Sequence, residues 1–322
     1  MKKMSDSRFS GEIQTKNAVG KKRGQKSDET HLVSAPNRKG GQMTDEIHKV
    51  GASLSETIQA ISEQWRRRQS WHRAEKSLTL QIRAFCRRLS NGEISEANVL
   101  YDALMKNKPH EMKDILMLSV FPLIKARNDI SRELDRIEKN LEMRSRQLPG
   151  IKFVTSTPGL SIFTLFALIG ECPGHNFQGF IDFDTPSRVW KRLGLAVMPD
   201  GTRQRKVKGP ESKEHGYSPS RRSVIWTIGD ACIKGKGPYR KLYDQYKEQE
   251  QKKAAGRGLI ILPSAQINAT RKASGKYISE GHIHNSAKRK MEKDLVKDVW
   301  LAFRTEAGVK SPNRAMELLR AA

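Results

Sequence analysis

Apolar residues recur at helical spacing over residues 54–89, where Ile58, Ile61, Trp65, Leu78, Ile82, Phe85 and Leu89 share a face, while Arg66, Arg67, Arg68, Arg73, Arg87 and Arg88 make a basic exterior. A second helix is expected after Ser95, and a longer one over 113–146, with a kink expected near Pro122. In that longer segment Ile130, Leu134, Ile137 and Leu141 form one stripe with acids and bases beyond it. Such a stripe suits a dimeric or antiparallel helix contact and, equally, a long helix inside a monomeric bundle.

The composition changes at Leu148 and Pro149. Beyond it the pattern predicts helices over 161–169, 186–193 and 221–232, another after Pro238, and a terminal helix over 285–303. Residues 194–220 read as exposed glycine- and lysine-rich loops or a small hairpin, and 252–277 as an insertion or mobile loop. Residues 1–51 show no sustained period and read as a flexible basic arm whose KKRG and NRKGG segments suit phosphate contact as well as a solvated tail. The expected organisation is therefore an arm (1–51), a helical region that suits either oligomerisation or a monomeric bundle (52–147), a main domain (148–306) and a tail (307–322). The fold class is mostly α: a helical bundle or long-helix element, then a helix-hairpin-helix-like domain with basic loops.

Charge narrows the partner. Sixty Lys and Arg stand against 35 Asp and Glu, a formal net charge of +25, which points to a polyanion far more than to a small substrate. No apolar run approaches membrane-spanning length and the first residues lack a secretory apolar core, so no membrane partner and a cytoplasmic, nucleoid-associated location are expected. Cys86, Cys172 and Cys232 are widely spaced without a nearby CxxC, which argues against a disulfide framework or a structural zinc site.

Pro158, Gly159 and Ser161 form a turn that feeds an apolar helix through Phe166 and Ile169. A turn of this kind offers helix-start N–H groups to a phosphate, and it serves equally as a structural turn between two core helices. Downstream come Pro186-Ser187-Arg188-Val189-Trp190-Lys191-Arg192-Leu193-Gly194-Leu195, a basic loop, Gly216-Tyr217-Ser218-Pro219-Ser220-Arg221-Arg222, Gly237-Pro238-Tyr239 with Tyr243-Asp244, and Gly281-His282-Ile283-His284 with Ala287 and Arg289. This succession, covering about 148–304, resembles the carboxy-terminal domain of bacterial insertion-sequence transposases that pair a RuvC-like DEDD domain with a serine-bearing domain and are directed by a structured bridge RNA.

The resemblance implies recombination of DNA at element ends and target sites, with DNA and a structured guide RNA as partners and Mg2+ as cofactor if recombination activity is retained; the alternative is a catalytically inactive, transposase-derived DNA- or RNA-binding protein, and a second copy of the chain is a partner only in the dimeric reading of the 130–141 stripe. Carboxylates would hold the metal and a hydroxyl would form a covalent DNA intermediate. Typical relatives carry a Ser-Ser-Gly segment where this chain has Met198-Pro199-Asp200-Gly201-Thr202-Arg203, so the candidate hydroxyls are Thr202, Ser212, Ser218 and Ser220. Turn or helix-cap roles suit Ser218 and Ser220 as well. Before Leu148 the chain reads as helix and loop rather than alternating strands, and Asp114, Asp129 and Asp135 fall on expected helices. Candidate phosphate contacts, besides Pro158, Gly159 and Ser161, are Arg203, Arg205, Lys206, Lys208, Lys213, Arg221, Arg222, Lys288 and Arg289. His282 and His284 lack a spaced third ligand and are expected to serve helix-start packing, so no metal ligands are assigned.

Overall fold

A computed structural model describes residues 53–309. The arm expected at 1–51 and most of the expected tail lie outside the described residues.

Helix α1 (Leu54–Leu89) starts at a capping box: Glu56 N–H donates to Ser53 Oγ at 3.2 Å, and Ser53 N–H donates to Glu56 Oε2 at 2.8 Å. Its 36 residues extend for about 54 Å. Asn91 and Gly92, both at positive φ, turn the chain into α2 (Ile94–Met105). Helix α3 (Lys113–Ser145) then runs back antiparallel to α1, continuing through Pro122. Arg127 Nε donates to Thr79 Oγ1 at 3.2 Å, and Arg68 Nε to Glu138 Oε1 at 2.7 Å, fixing the register of the pair. At the far end Ile82 and Cys86 of α1, Leu100 and Leu104 of α2, and Leu116 and Val120 of α3 close a small core.

The carboxy-terminal part comprises α4 (Ile151–Ser156), α5 (Ile162–Glu171), a 3-10 turn at Gly179–Asp182, α6 (Pro186–Arg192), α7 (Glu211–His215), α8 (Pro219–Lys234), α9 (Pro238–Gly256) and α11 (Glu280–Glu306), with α10 (Ala269–Ala273) on a connection. That connection joins two short parallel strands, β1 (Ile260–Leu262) and β2 (Tyr277–Ser279), registered Ile260 to Tyr277. The architecture is thus predominantly α-helical with a small, non-barrel β-element. Residues 252–277, expected as an insertion or mobile loop, carry regular structure: the first of them complete α9, and the rest form the strand pair and α10.

One buried cluster joins both regions across Leu148. Ile58, Ile61 and Trp65 of α1 and Ile137 and Leu141 of α3 share it with Leu165 and Ile169 of α5 and with Val299, Trp300 and Phe303 of α11. The stripe read in α3 is used inside the chain: Leu134, Ile137 and Leu141 are buried, and α3 packs on α1 and α5. Apolar side chains left outside on α3 are Ile115, Leu118, Phe121 and Met143. Helix α11 runs through the middle of the carboxy-terminal bundle, where Trp300 Nε1 donates to Phe183 O and Trp190 Nε1 to Lys293 O, each at 2.9 Å.

Gly159 holds φ +88° in the turn between α4 and α5, and a Cβ there would stand 2.7 Å from Cys232 Cα and 2.8 Å from Ala231 O. Backbone cannot yield as a side-chain tip can. The left-handed conformation and the overpacking together give Gly159→Ala an expected cost of about 3 kcal/mol, to be read from the urea midpoint; a change under about 1 kcal/mol would mean that α8 can withdraw from the turn.

Candidate nucleic-acid interface

Residues 196–216 leave α6 as a basic loop tied down at a few points. Met198 N–H donates to Thr202 O at 2.8 Å, and Val197 and Arg203 form an antiparallel bridge, so the expected small hairpin is present. Gln204 is the buried anchor: its Oε1 accepts from Ala196 N–H at 3.2 Å, and its Nε2 donates to Lys191 O at 3.0 Å and to His215 O. Arg289, from α11, donates to Gly194 O and Ala196 O at 3.0 Å each. Burial with Arg222 and Arg203 nearby brings its guanidinium down to about 10. With the anchors facing inward, Arg203, Arg205, Lys206, Lys208 and Lys213 are exposed. Arg203 also donates to Ser286 Oγ at 3.0 Å.

The structure separates the basic residues expected to meet phosphate. Arg221 is half-buried, 3.5 Å from Glu171 Oε2, and Glu171 in turn accepts from Trp65 Nε1 at 2.9 Å. Arg192 Nε donates to Glu171 O at 3.0 Å, joining α6 to this hub. Lys288 differs most from the expectation of a phosphate contact. It is fully buried, paired with Asp230, and its Nζ lies 3.4 Å from the Trp226 ring centroid. Arg222 also turns inward, to 2.8 Å from the fully buried Glu292. These two cations serve an internal charge cluster between α8 and α11, with Gly229 supplying room: a Cβ there would stand 2.8 Å from Glu292 Oε1. Burial drives the Glu292 carboxyl up to about 7 even with Arg222, Lys288 and Arg289 opposing the shift. Burial likewise holds the Lys288 ammonium below its ordinary value.

The four candidate hydroxyls occupy different local settings. Thr202 Oγ1 donates to Asp200, with oxygens at 2.8 and 3.0 Å, and its N–H donates to Asp200 Oδ1 at 2.9 Å. Those bonds hold the Asp200 carboxyl below its ordinary value, so it stays ionised and is a weak base. Ser212 lies in α7, exposed. Ser218 caps α8, accepting from Arg221 N–H at 3.4 Å. Ser220 faces a cleft between α8 and α1. Among the described residues none of the four hydrogen-bonds to a histidine or lysine.

Pro158 and Ser161 are exposed at the start of α5, whereas the Cβ side of Gly159 is filled by α8 backbone rather than left open. His284 Nδ1 lies 2.7 Å from Tyr243 Oη and its ring meets Trp226 edge to face, while Ser279 Oγ caps the helix by accepting from His282 N–H at 3.1 Å. Burial keeps both imidazoles below their ordinary value. Among the described residues no three His, Cys, Asp or Glu side chains gather as a metal site. No described helix is long and apolar enough to cross a membrane.

Sequence reasoning missed the Glu292 cluster and the cleft on α1. A signal for the first was available: Glu292 sits one turn after Lys288 among the apolar positions Met291, Leu295 and Val296. The cleft had no such signal, because α1 and α8 meet through the fold. No protein-family model, no curated protein and no solved structure matches the chain.

Proposed function

We propose that this chain binds DNA as part of a transposase-like apparatus, holding phosphates on the 196–216 loop. The observation that supports it is the division of labour in that loop. Gln204 and Arg289 fix its base from inside, leaving Arg203, Arg205, Lys206, Lys208 and Lys213 outside, five cations against Asp200, Glu211 and Glu214 in the same segment. The helix-hairpin-helix-like part of the reading rests on Pro158 and Ser161 at the exposed start of α5.

The test is fluorescence anisotropy of a labelled duplex over a salt series. Log affinity is expected to fall linearly with log salt, with a slope of about −0.9 for each phosphate neutralised. No binding at low salt, or binding indifferent to salt, would overturn the reading.

Strand cleavage is a second reading, favoured by one observation: the exposed Thr202 hydroxyl, within the basic loop, is held on a carboxylate. In that reading the hydroxyl attacks a DNA phosphodiester, the Thr202–phosphate bond forms, and the 3′- or 5′-oxygen of the broken strand leaves with a proton. Thr202→Val is then expected to abolish protein-linked DNA on a denaturing gel run with Mg2+ while retaining anisotropy binding within about threefold. A linked product that survives the substitution removes Thr202 as nucleophile.

A further inference from the structure

A cleft of ≈ 350 Å³ opens where the middle of α1 meets the first turns of α5 and α8, a volume at the lower end of the range for small-ligand sites. Its floor is apolar and largely aromatic: Trp65 from α1, Phe163 from α5 and Val224 from α8. The rings are fixed rather than adaptable. Phe163 packs edge-on against Phe166 with centroids 4.8 Å apart, and Trp65 is pinned through its indole N–H to Glu171. The Arg68 guanidinium stands 5.1 Å from the Trp65 centroid and 5.0 Å from that of Phe163, locked there by its bond to Glu138.

The rim has a different chemistry. His72 and Arg73 project from α1, both exposed, and Ser220, Ser223 and Thr227 run down the facing side of α8 at helical spacing. Thr227 satisfies its hydroxyl on Ser223 O at 3.0 Å. The Ser220 and Ser223 hydroxyls make no protein hydrogen bond among the described residues, and so are available to a ligand. The mouth lies beside the first turn of α8, whose N–H groups add positive character.

An apolar, ring-lined floor with a cationic, hydroxyl-bearing rim suits a flat heterocycle joined to an anion. We propose that this cleft receives one unpaired nucleotide of the bound DNA, its base against Phe163, Val224 and the Arg68 guanidinium, with the buried Trp65 ring beneath them, and its phosphate against Arg73 and the Ser220 hydroxyl. Paired bases cannot enter, because their faces are covered by the stack. The cleft therefore gives the chain a preference for DNA carrying an unpaired position, which the outer loop, reading phosphates alone, does not supply. This inference rests on the DNA-binding reading.

The experiment compares three labelled DNA hairpins of one sequence with the full chain: fully paired, with one unpaired adenine in the stem, and with an abasic residue at that position. The adenine hairpin is expected to bind about tenfold more tightly than the other two. Ser223→Gln, which sends a longer side chain into the cleft from an exposed position, and Phe163→Leu, which removes the ring while keeping an apolar side chain, are each expected to bring the adenine hairpin within about twofold of the paired one. Thermal melts of both variants establish that they fold as the parent does. Equal affinity for all three hairpins overturns the cleft proposal and leaves the DNA reading standing. A preference that persists in both folded variants also overturns it. Absence of binding to any hairpin overturns the two together.

Discussion

Arg222→Ala is expected to cost about 1 kcal/mol more folding stability at pH 8 than at pH 5, because removing one partner of a buried ion pair strands the other. Glu292 is fully buried and Arg222 is its cation at 2.8 Å; Arg222 Nη1 and Glu292 Oε1 already lack hydrogen-bond partners. The pH dependence has a definite sign. Unfolded, the carboxyl releases its proton near the ordinary value of 4.5, whereas the folded protein holds it to about 7. The folded state binds more protons in that window, so this group's contribution is present in full below 4.5 and is lost as pH rises through 7. Arg222 opposes the upward shift, so its removal carries the decline to still higher pH. At pH 5 Glu292 is protonated and there is no stranded charge. Urea denaturation at the two pH values measures the difference, and Arg222→Ala combined with Glu292→Gln should recover much of the loss at pH 8. A penalty equal at both pH values would place its origin in lost packing against Trp226, over which the Arg222 guanidinium sits at 5.4 Å.

The triple substitution Arg205→Ala, Lys206→Ala and Lys208→Ala should weaken duplex binding by roughly a few hundredfold near 0.1 M salt and reduce the salt slope by about 2.7, the effect of three lost phosphate contacts. All three side chains are exposed, and the loop's anchors, Gln204 and Arg289, are untouched, so the melting temperature should stay within a few degrees. An unchanged slope would show that these residues lie off the DNA path. The same substitutions made on Lys288 would be uninformative about DNA, since its ammonium is enclosed with Asp230 and Trp226.

The long helices were legible because period and caps agree. Ile58, Ile61, Trp65 and Ile82 trace the buried side of α1, and all four are nearly or fully buried. The start of α11 was read five residues late: Gly281 and two histidines resemble a turn, although Ser279 is a good N-cap. Residues 252–277 were opaque for another reason. Strands of three residues have too little alternation to register, and β1 gains its definition only from β2, which lies beyond α10. Burial of Lys288 and Arg222 was similarly illegible. In a chain of charge +25 a lysine on a helix reads as solvent-facing, and its partners Asp230 and Trp226 belong to α8. Thr202 falls on a loop and Ser218 at a helix start, as the sequence suggests, whereas Ser212, expected on a loop, lies in α7; their hydrogen-bond settings depend on Asp200 and on the approach of α1.

Gly179 is surrounded by the tips of Ile58, Ile169 and Phe303, residues from near the beginning, the middle and near the end of the described chain. A nascent polypeptide leaving the ribosome therefore makes α1 long before the residues that cover it exist. Its outer half can pair with α2 and α3 as soon as those emerge, while Trp65 must wait for α5 and Ile58 for Phe303 of α11. Synthesis accordingly passes through a species with a finished tip and an open base, and a ribosome stalled before Phe303 would present that apolar base to chaperones.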